Sequence, residues 1–368
     1  MSRLSLGRRI MLAASRAVPA SDRWRLFRLP NGVRRLRDLD LPIYRHAAEP
    51  PASTRGNDQI DIVHDRIVFR VDNGFANHNG ATLLADGALI RELSREWNPP
   101  ADGHSKLRKP VLMPKVHRVP KVASITIEHN TNYCHFFYDC IPRIPILRDA
   151  GFGDLPLYAP LSESYQREIL DLMGYPEEKR IASVAHPILQ AGELYVPAYD
   201  GNQGEFPARV RNFIRTELLA RARARKPDEH FPRRLYISRR DSTSRRVLNE
   251  EALYARLKPL GFEFAVMAKM PVVDQILAFA DAACIVTPHG ASLTNLVFCR
   301  PECSLVEIFP PRIVAPCYQD LSRLMGMRAF EYRAKGVQIG EGDLAQDLIV
   351  EDDLMEQIMR QVKELTTP

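Results

Sequence analysis

Residues 235–310 alternate short apolar runs with helical patterns, and this alternation constrains the fold more than any other feature of the chain. Apolar runs that predict strands occur at 235–238, 262–266, 284–286 and 304–309. Between them, helices are predicted to begin at Asn249, at Val272 and near Ser292. This β-α-β-α-β-α-β order predicts a mostly parallel, doubly wound sheet.

Two polar loops follow the first and third of these strands. The first loop carries four arginines, which are Arg239, Arg240, Arg245 and Arg246. The second loop carries His289 and Gly290. Loops and helix N-termini converge at the carboxyl ends of parallel strands, where open sheets bind ligands. Because guanidinium groups and backbone N–H groups both suit a diphosphate, the sequence predicts a site for that anion.

Composition limits the number of domains and the kinds of partner. At 368 residues the chain exceeds what one core usually supports, so we expect two domains. Hydrophobic residues make up 45% and charged residues 26%, which is typical of a globular protein. The net charge of +6 permits nucleotides, nucleic acid or an acidic membrane as partners, but it selects none of them.

The six cysteines favour free buried thiols in a reducing compartment over a metal site. No Cys-x-x-Cys pair occurs, and Cys299 and Cys303 have no second ligand pair nearby in the sequence. The chain also has no Asn-x-Ser/Thr sequon and no apolar run near the roughly 20 residues that span a bilayer. These features predict free thiols in a reducing compartment and a chain that does not meet the secretory glycosylation machinery.

The N-terminal part, 1–58, is predicted to be a basic arm followed by a linker. Its first 30 residues hold seven arginines and one acid, and their apolar stretch is too short for a signal peptide. Two interpretations stay open. One is an amphipathic segment that contacts an anionic membrane, and the other is a solvated arm or a helix packed on the protein. An organelle transit peptide is also allowed by composition.

A first α/β domain is predicted over 59–225. It opens with a small antiparallel meander over 59–97, whose strands are expected at 60–63, 67–71, 82–84 and 88–90. A loop over 98–120 follows, and then strands at 122–127, 155–159 and 193–196 alternate with helices from about Tyr133, at 162–173 and at 208–225. A hinge at 226–232 introduces a second domain over 226–345, and a C-terminal helix is expected within 346–368.

Three motifs resemble glycosyltransferase family 61, several bacterial members of which are known as capsular polysaccharide biosynthesis proteins. They are Tyr236-Ile237-Ser238-Arg239-Arg240 with Arg245-Arg246-Val247-Leu248-Asn249-Glu250, then His289-Gly290-Ala291-x-Leu293-Thr294-Asn295, and Leu305-Val306-Glu307-Ile308-Phe309-Pro310. Their order and spacing agree with the family across residues 129–310.

The resemblance implies a GT-B fold, in which two Rossmann-like domains face a cleft, with a β-rich N-terminal addition and a C-terminal helix. It also implies inverting sugar transfer with no obligatory metal and no other required cofactor. The C-terminal domain would hold a nucleotide sugar, a UDP-sugar in several members, and the N-terminal domain would meet a glycan or lipid-linked glycan acceptor. The chain lacks the anchor and sequons of secreted eukaryotic members, so we expect the bacterial cytoplasmic type, at the inner face of the membrane.

The resemblance assigns the two loops to the donor. Sugar transfer leaves negative charge on the departing phosphate, and Arg239 and Arg245 are the first choice to meet it, although Arg240 and Arg246 could exchange roles with them. His289 would donate to the phosphate or the sugar. Other expected contributions come from backbone approach at Gly290 and Ala291, from N–H or hydroxyl donors at Ser292, Leu293 and Thr294, and from Glu307 as an acceptor for a ribose hydroxyl.

An inverting reaction needs a base for the acceptor hydroxyl, and two residues of the first domain are candidates. His135 and Asp139 are four residues apart, so they share one face of the predicted helix. Either Asp139 orients His135 as the base, or Asp139 is the base and His135 binds the sugar. Glu128 is a third candidate for the base.

A second class of function is a basic, non-enzymatic protein that binds nucleic acid or acidic glycans. It is motivated by the N-terminal arm and by the arginines of 209–225. These basic runs lack interleaved aromatic residues and any nucleic-acid-binding motif, so no specific nucleic-acid partner is expected.

Overall fold

A computed structural model of the protein describes residues 32–55, 60–96, 104, 107, 116–202, 205–312, 316–342 and 345–367. The basic segment 1–30 lies outside this part of the chain. The described residues form two compact units, one within Met1–Arg167 and Tyr175–Gln203 and the other within Glu168–Gly174 and Gly204–Pro368. Each unit has its own principal sheet.

Eleven described strands form the sheet of the first unit. They are β1 (Val33–Arg34), β2 (Pro42–Tyr44), β3 (Ala52–Ser53), β4 (Val68–Asp72), β5 (Phe75–Asn77), β6 (Thr82–Leu83), β7 (Leu89–Ile90), β8 (His117–Ser124), β9 (Leu157–Ala159), β10 (Arg180–Ala182) and β11 (Ile188–Pro197). The path runs β1-β7-β6-β5-β11-β4-β2-β3, and β8 joins β11 to β9 and β10.

The first unit combines a parallel and an antiparallel part. Strands β10, β9, β8 and β11 are parallel neighbours in that order, as in one half of a doubly wound sheet. Strands β2 to β6 and the remaining pairings of β11 are antiparallel. The mixed α/β architecture of the chain is therefore confirmed. The two-domain GT-B arrangement stays a prediction.

Two predictions for this unit are corrected by its core. Residues 33–53 were expected in the arm and linker, yet they supply β1, β2 and β3 because Leu36, Leu41 and Ile43 are buried in the core. The meander was expected to be a separate addition. Instead β4 and β5 both pair with β11, so its strands are part of the main sheet.

The strand predicted at 60–63 is a turn instead. The Asp61 carboxylate accepts hydrogen bonds from the backbone N–H groups of Val63 at 2.9 Å and His64 at 3.2 Å. Such local side-chain bonds compete with strand pairing and override the β preference of the neighbouring isoleucine and valine residues.

Helical segments of the first unit connect its parallel strands. Helix α1 (Tyr133–His135) continues into a π-helical turn (Phe136–Cys140) and is followed by α2 (Arg143–Asp149). Helix α3 (Ser164–Leu172) crosses the division between the units. Short 3-10 turns lie at Leu36–Asp38 and Glu177–Lys179.

The second unit confirms the parallel sheet expected from residues 235–310. Its strands are β12 (Arg234–Ile237), β13 (Glu263–Ala265), β14 (Cys284–Pro288), β15 (Ser304–Phe309) and β16 (Arg328–Arg333), and the sheet order is β13-β12-β14-β15-β16. All four pairings are parallel. A hairpin of β17 (Lys335–Gln338) and β18 (Gln346–Ile349) follows, which the sequence reading did not anticipate.

Helices of this unit are α4 (Ala208–Arg225), α5 (Glu250–Leu257), α6 (Val272–Asp281), α7 (Cys317–Leu324) and α8 (Asp352–Thr366). The helix expected near Ser292 is a 3-10 helix, Ala291–Phe298, and shorter 3-10 turns lie at Lys258–Leu260 and Met267–Lys269. No helix of the described residues is long and apolar enough to cross a membrane.

The predicted domain boundary near 226 differs from the division seen here. Helix α4 belongs to the second unit, where Arg215 donates to the backbone carbonyls of Val297 and Cys299 and Arg223 pairs with Asp281. The C-terminal helix is not a separate element either. Residues of α8, including Ile358 and Val362, are buried in the core of this unit.

Candidate functional site

The two polar loops lie at the carboxyl ends of neighbouring strands in the second unit. Strands β12 and β14 pair directly, with Tyr236 opposite Val286. In the order β13-β12-β14-β15-β16, the chain steps from β12 to one edge and then returns to the other side. The strand order therefore reverses between β12 and β14, and open sheets bind ligands beyond the strand ends at such a point.

Arg240 anchors the beginning of the first loop. Its Nε and Nη2 atoms donate to one carboxylate oxygen of Glu250 at 3.0 and 2.7 Å, and its guanidinium lies 4.3 Å from the ring centroid of Phe264. The Tyr236 hydroxyl donates to the other Glu250 oxygen at 3.0 Å. Because its charge is already paired, Arg240 holds the loop on α5.

Arg246 anchors the end of the same loop. Its Nε and Nη2 atoms donate to the buried Asp347 carboxylate at 3.0 and 2.5 Å. Burial opposes ionisation of Asp347, but the hydrogen bonds from Arg246 prevail and lower the pKa of this carboxyl. The hairpin strand β18 thus fixes the loop from a position 101 residues away in sequence.

Arg239 and Arg245 are half-buried, and no ion pair with an Asp or Glu is seen for either one in the described chain. Arg239 donates to the Ser242 hydroxyl at 2.7 Å and to the Ser244 carbonyl at 3.3 Å. The Nε atoms of both arginines are buried without a hydrogen-bond partner among the described residues. Two half-buried guanidiniums that form no ion pair would be stabilised by an anion.

The electrostatics of this pair agree with its geometry. Burial, followed by the positive charge of Arg245, lowers the pKa of Arg239 to about 10. Burial also lowers the pKa of Arg245. Arg245 has a φ of 60°, in the left-handed region that arginine seldom adopts, and its backbone N–H donates to the Gln346 carbonyl at 2.6 Å. Strand β18 therefore holds Arg245 in a strained position beside another cation.

Gly290 provides the contact surface for Arg239. A Cβ atom at this position would lie 1.8 Å from Nη1 of Arg239. The φ of Gly290 is 179°, which any residue can adopt, so the requirement for glycine is steric. The second loop thus leaves room for the Arg239 guanidinium.

The residues that follow Gly290 differ in whether their hydrogen-bond donors are already used within the protein. The hydroxyls of Ser292 and Thr294 are buried and have no hydrogen-bond partner in the described part of the chain. Leu293 is in the core, and its N–H donates to the Gly290 carbonyl at 3.0 Å, so that donor is already used. Ala291 begins the 3-10 helix and is half-buried.

His289 forms a buried pair with Glu307. Its Nδ1 lies 2.7 Å from a Glu307 oxygen, and the side-chain amide of Gln319 donates to the other oxygen at 2.8 Å. Glu307 is 0% exposed. This placement differs from the expected contact with a ribose hydroxyl, because both oxygens face protein donors inside the core.

In the first unit the structure brings His135 and Asp139 together. The His135 Nδ1 lies 2.7 Å from Asp139 Oδ2, across the π-helical turn that joins them. Asn132 caps α1 by accepting hydrogen bonds from the N–H groups of Cys134 and His135. Such single π-helical turns are common at functional sites.

A second histidine lies beside this pair. The His129 ring stacks on the His135 ring at 5.8 Å between centroids, and its Nε2 is 3.6 Å from the buried carboxylate of Glu128. His129 has a φ of 57°, which orients it away from the path of the strand before it. The candidate base Glu128 thus lies against His129.

Sequence reasoning missed several supporting residues. The sequence around these residues contains no motif that points to a site. Gln319 contacts Glu307 and Asp347 contacts Arg246 from later elements of the chain, and His129 stacks on His135. Only Glu250 could have been anticipated as a partner of Arg240, since it stands ten positions away at a predicted helix start.

A cavity of about 490 Å³ in the second unit borders the first loop at Arg240. Its lining is largely apolar and includes Phe264, Val266 and Met270, with Lys269 as a second cation. Among the described residues, no group of three His, Cys, Asp or Glu side chains could hold a metal ion. No disulfide joins any of the six cysteines, all of which are described.

Comparison with known proteins gives two partial matches. Residues 133–306 match the family model described as Glycosyltransferase 61. Over 109 residues the chain is 31% identical to an EGF domain-specific O-linked N-acetylglucosamine transferase of Drosophila melanogaster. The matched stretch covers 28% of this chain and 20% of that protein. The chain thus spans about a fifth of that relative's length. Both findings are similarities to glycosyltransferases, each over part of the chain.

Arg239→Met should raise the melting temperature of the ligand-free protein at pH 7, whereas Arg240→Met should lower it. Burial lowers the pKa of Arg239 to about 10, so its charge destabilises the fold below that pH, and removing the charge stabilises the fold by about 1–2 kcal/mol. Arg240→Met leaves the buried Glu250 without its cation, which costs about 1–3 kcal/mol. Calorimetric melting of both variants checks the opposite signs. A lower melting temperature for Arg239→Met would contradict the uncompensated charge.

Gly290→Ala should weaken binding of inorganic pyrophosphate by about 10–100-fold, because the added methyl displaces the Arg239 guanidinium and one charged contact is lost. Isothermal titration calorimetry measures the change. Gly340→Ala is the matched control, since its Cβ meets only Ala345 at 3.3 Å. Equal pyrophosphate affinity of the two variants would show that Arg239 does not contribute to anion binding.

Proposed function

We propose that this chain is an inverting, metal-independent glycosyltransferase that moves a sugar from a nucleotide sugar, a UDP-sugar, to a glycan or lipid-linked glycan acceptor. The observation that carries the proposal is the half-buried pair Arg239 and Arg245, which forms no ion pair with a carboxylate in the described chain and lies at the switch point of a parallel sheet. The match of residues 133–306 to Glycosyltransferase 61 supports the same reaction class.

On the donor side, the bond between the anomeric carbon and the diphosphate breaks, and its electron pair leaves with the diphosphate. The charge that develops there requires fixed cations and hydrogen-bond donors. Arg239 and Arg245 would supply the cations. The free hydroxyls of Ser292 and Thr294 would add donors without further rearrangement.

Arg240 and Arg246 take a different role in this proposal. Each forms an ion pair with a buried carboxylate, so its positive charge is already balanced and is not available to the diphosphate. They hold the two ends of the loop so that Arg239 and Arg245 keep their positions. The cavity beside Arg240 falls in the size range of small-ligand pockets, and we assign it to the nucleoside.

On the acceptor side, the acceptor oxygen forms the new bond to the anomeric carbon and loses its proton. We assign that proton to Nε2 of His135, because Nδ1 is engaged with Asp139. Asp139 then holds the ring in one orientation and balances the charge that the ring gains. Of the two sequence hypotheses, this geometry favours His135 as the base.

The basic binding protein is the weaker alternative. The arginines of α4 that motivated it are engaged within the second unit. Arg223 pairs with Asp281, Arg221 with Glu217, and Arg225 donates to the Asp171 carbonyl. Arginines committed to such contacts are poorly placed to neutralise phosphates along a nucleic acid.

The cellular context is also part of the proposal. Surface polysaccharide or capsule synthesis, a cytoplasmic location and peripheral contact with the inner face of the membrane all follow from the sequence expectations above. Membrane contact depends on the arm within residues 1–30, which lies outside the described chain.

Titrating the purified protein with nucleoside diphosphates tests the proposal, and UDP should raise its melting temperature. Incubation with a panel of nucleotide sugars should then release the nucleoside diphosphate, with and without added glycan acceptors. UDP-N-acetylglucosamine is tested first, because the Drosophila relative is named for N-acetylglucosamine transfer. No stabilisation by any nucleoside diphosphate would overturn the proposal.

His135→Ala should lower kcat by about 10²–10⁴-fold while the Kd for UDP stays unchanged, because the base acts only on the acceptor proton. Arg239→Met should show the converse, with UDP binding lost. Steady-state kinetics and calorimetry separate the two effects. Normal turnover by His135→Ala would rule out His135 as the base and return the role to Asp139 or Glu128.

A further inference from the structure

Glu307 lies in β15 and is shut off from solvent. One carboxylate oxygen is 2.7 Å from Nδ1 of His289, and the other accepts a hydrogen bond from Gln319 at 2.8 Å. Burying a carboxylate is costly unless it is paired and hydrogen-bonded. Both conditions are met here by protein side chains, which are His289 and Gln319.

We propose that Glu307 is a positioning residue that sets the protonation of His289 for contact with the leaving diphosphate. This inference rests on the proposed function. An ionised carboxylate only accepts hydrogen bonds, so Nδ1 of His289 must carry the proton of their shared bond. The ring nitrogen left to face a ligand is then Nε2, for which no partner is seen in the described chain.

The chemistry of the leaving group decides what Nε2 must do. Phosphate oxygens accept hydrogen bonds, and a neutral ring with its proton on Nδ1 presents only a lone pair at Nε2. Nε2 can donate to the diphosphate only when the ring carries both protons. When the ring carries both protons, the Glu307 carboxylate 2.7 Å from Nδ1 lies against its positive charge, in the way that a buried aspartate supports a catalytic histidine.

The ring is also held against rotation. The side chain of Phe309 stacks on it with centroids 4.9 Å apart and an interplanar angle of 26°, and the Tyr318 ring lies 5.4 Å away. The backbone N–H of His289 donates to the Ile308 carbonyl at 2.9 Å. These contacts hold the plane of the ring, and the contact of Nδ1 with Glu307 selects its orientation, so the donor is positioned before the substrate arrives.

The position of His289 connects this pair to the arginine site. His289 immediately precedes Gly290, which lies against the Arg239 guanidinium. Thr287, two residues earlier, pairs in register with Glu307 across β14 and β15. The loop that contacts Arg239 and the strand that carries Glu307 are thus parts of one rigid sheet edge.

NMR of protein labelled with ¹⁵N-histidine tests the protonation directly at pH 7, with the His289 signals assigned from a His289→Gln variant. The free protein should show Nδ1 protonated, and the UDP complex should show both nitrogens protonated. A ring with its proton on Nε2 and none on Nδ1 in the free protein, or an unprotonated Nε2 in the UDP complex, would overturn the proposal. The wild-type spectrum suffices even if a Glu307 variant fails to fold.

A double-mutant cycle tests whether Glu307 acts through His289. Glu307→Gln keeps the shape of the side chain, and we expect kcat to fall about 10²-fold, with loss of the second proton from His289 in the UDP complex. In a His289→Gln background the same change should have almost no further effect on kcat. Additive losses, or wild-type kcat in Glu307→Gln, would leave Glu307 a structural residue and contradict the inference.

The two levels of the argument fail in different ways. If the wild-type protein binds no nucleoside diphosphate, the proposed function is wrong, while the free-protein spectrum still reports the His289 tautomer. If UDP binds and turnover is normal but the cycle is additive, the transferase stands and the role of Glu307 is withdrawn.

Discussion

The two ion pairs of the first polar loop, Arg240 with Glu250 and Arg246 with Asp347, are the interactions on which the arginine site depends. Beside them stand Arg239 and Arg245, which are half-buried and form no ion pair in the described chain, and burial lowers the pKa of both. Such an arrangement persists only when surrounding structure holds it in place. The two ion pairs at the ends of the loop, with Glu250 and with Asp347, provide that support.

The four arginines therefore divide into two functional classes, although the sequence presents them as equivalent neighbours. Arg240 and Arg246 form ion pairs with buried carboxylates, whereas Arg239 and Arg245 form no such pair in the described chain. A similar division separates the two histidine pairs. In each unit a carboxylate engages Nδ1 of a histidine, at His135 in one unit and at His289 in the other. In both pairs the carboxylate engages Nδ1, so the nitrogen left for another partner is Nε2.

Local patterns predicted the elements well wherever burial on one face controls the structure. The helix over 208–225, the strand over 304–309 and the parallel order around the loops follow from apolar periodicity and short connections. Predictions failed where a contact from a distant segment or a local side-chain bond prevailed. Asp61 turned an expected strand into a turn, and the core residues around Ile43 drew the expected arm into the sheet.

The sequence by itself determined the parallel sheet of the second unit, the two loops at its switch point and the pairing of His135 with Asp139. These depend on periodicity and on spacing within a few residues, which a linear chain records directly. Only the tertiary structure decided which arginines are free, and that Glu307 faces His289 rather than solvent. Those outcomes depend on Asp347 and Gln319, which reach the site from other elements. Whether a charge is available to a ligand depends on every group packed around it, and that information exists only once the chain has folded.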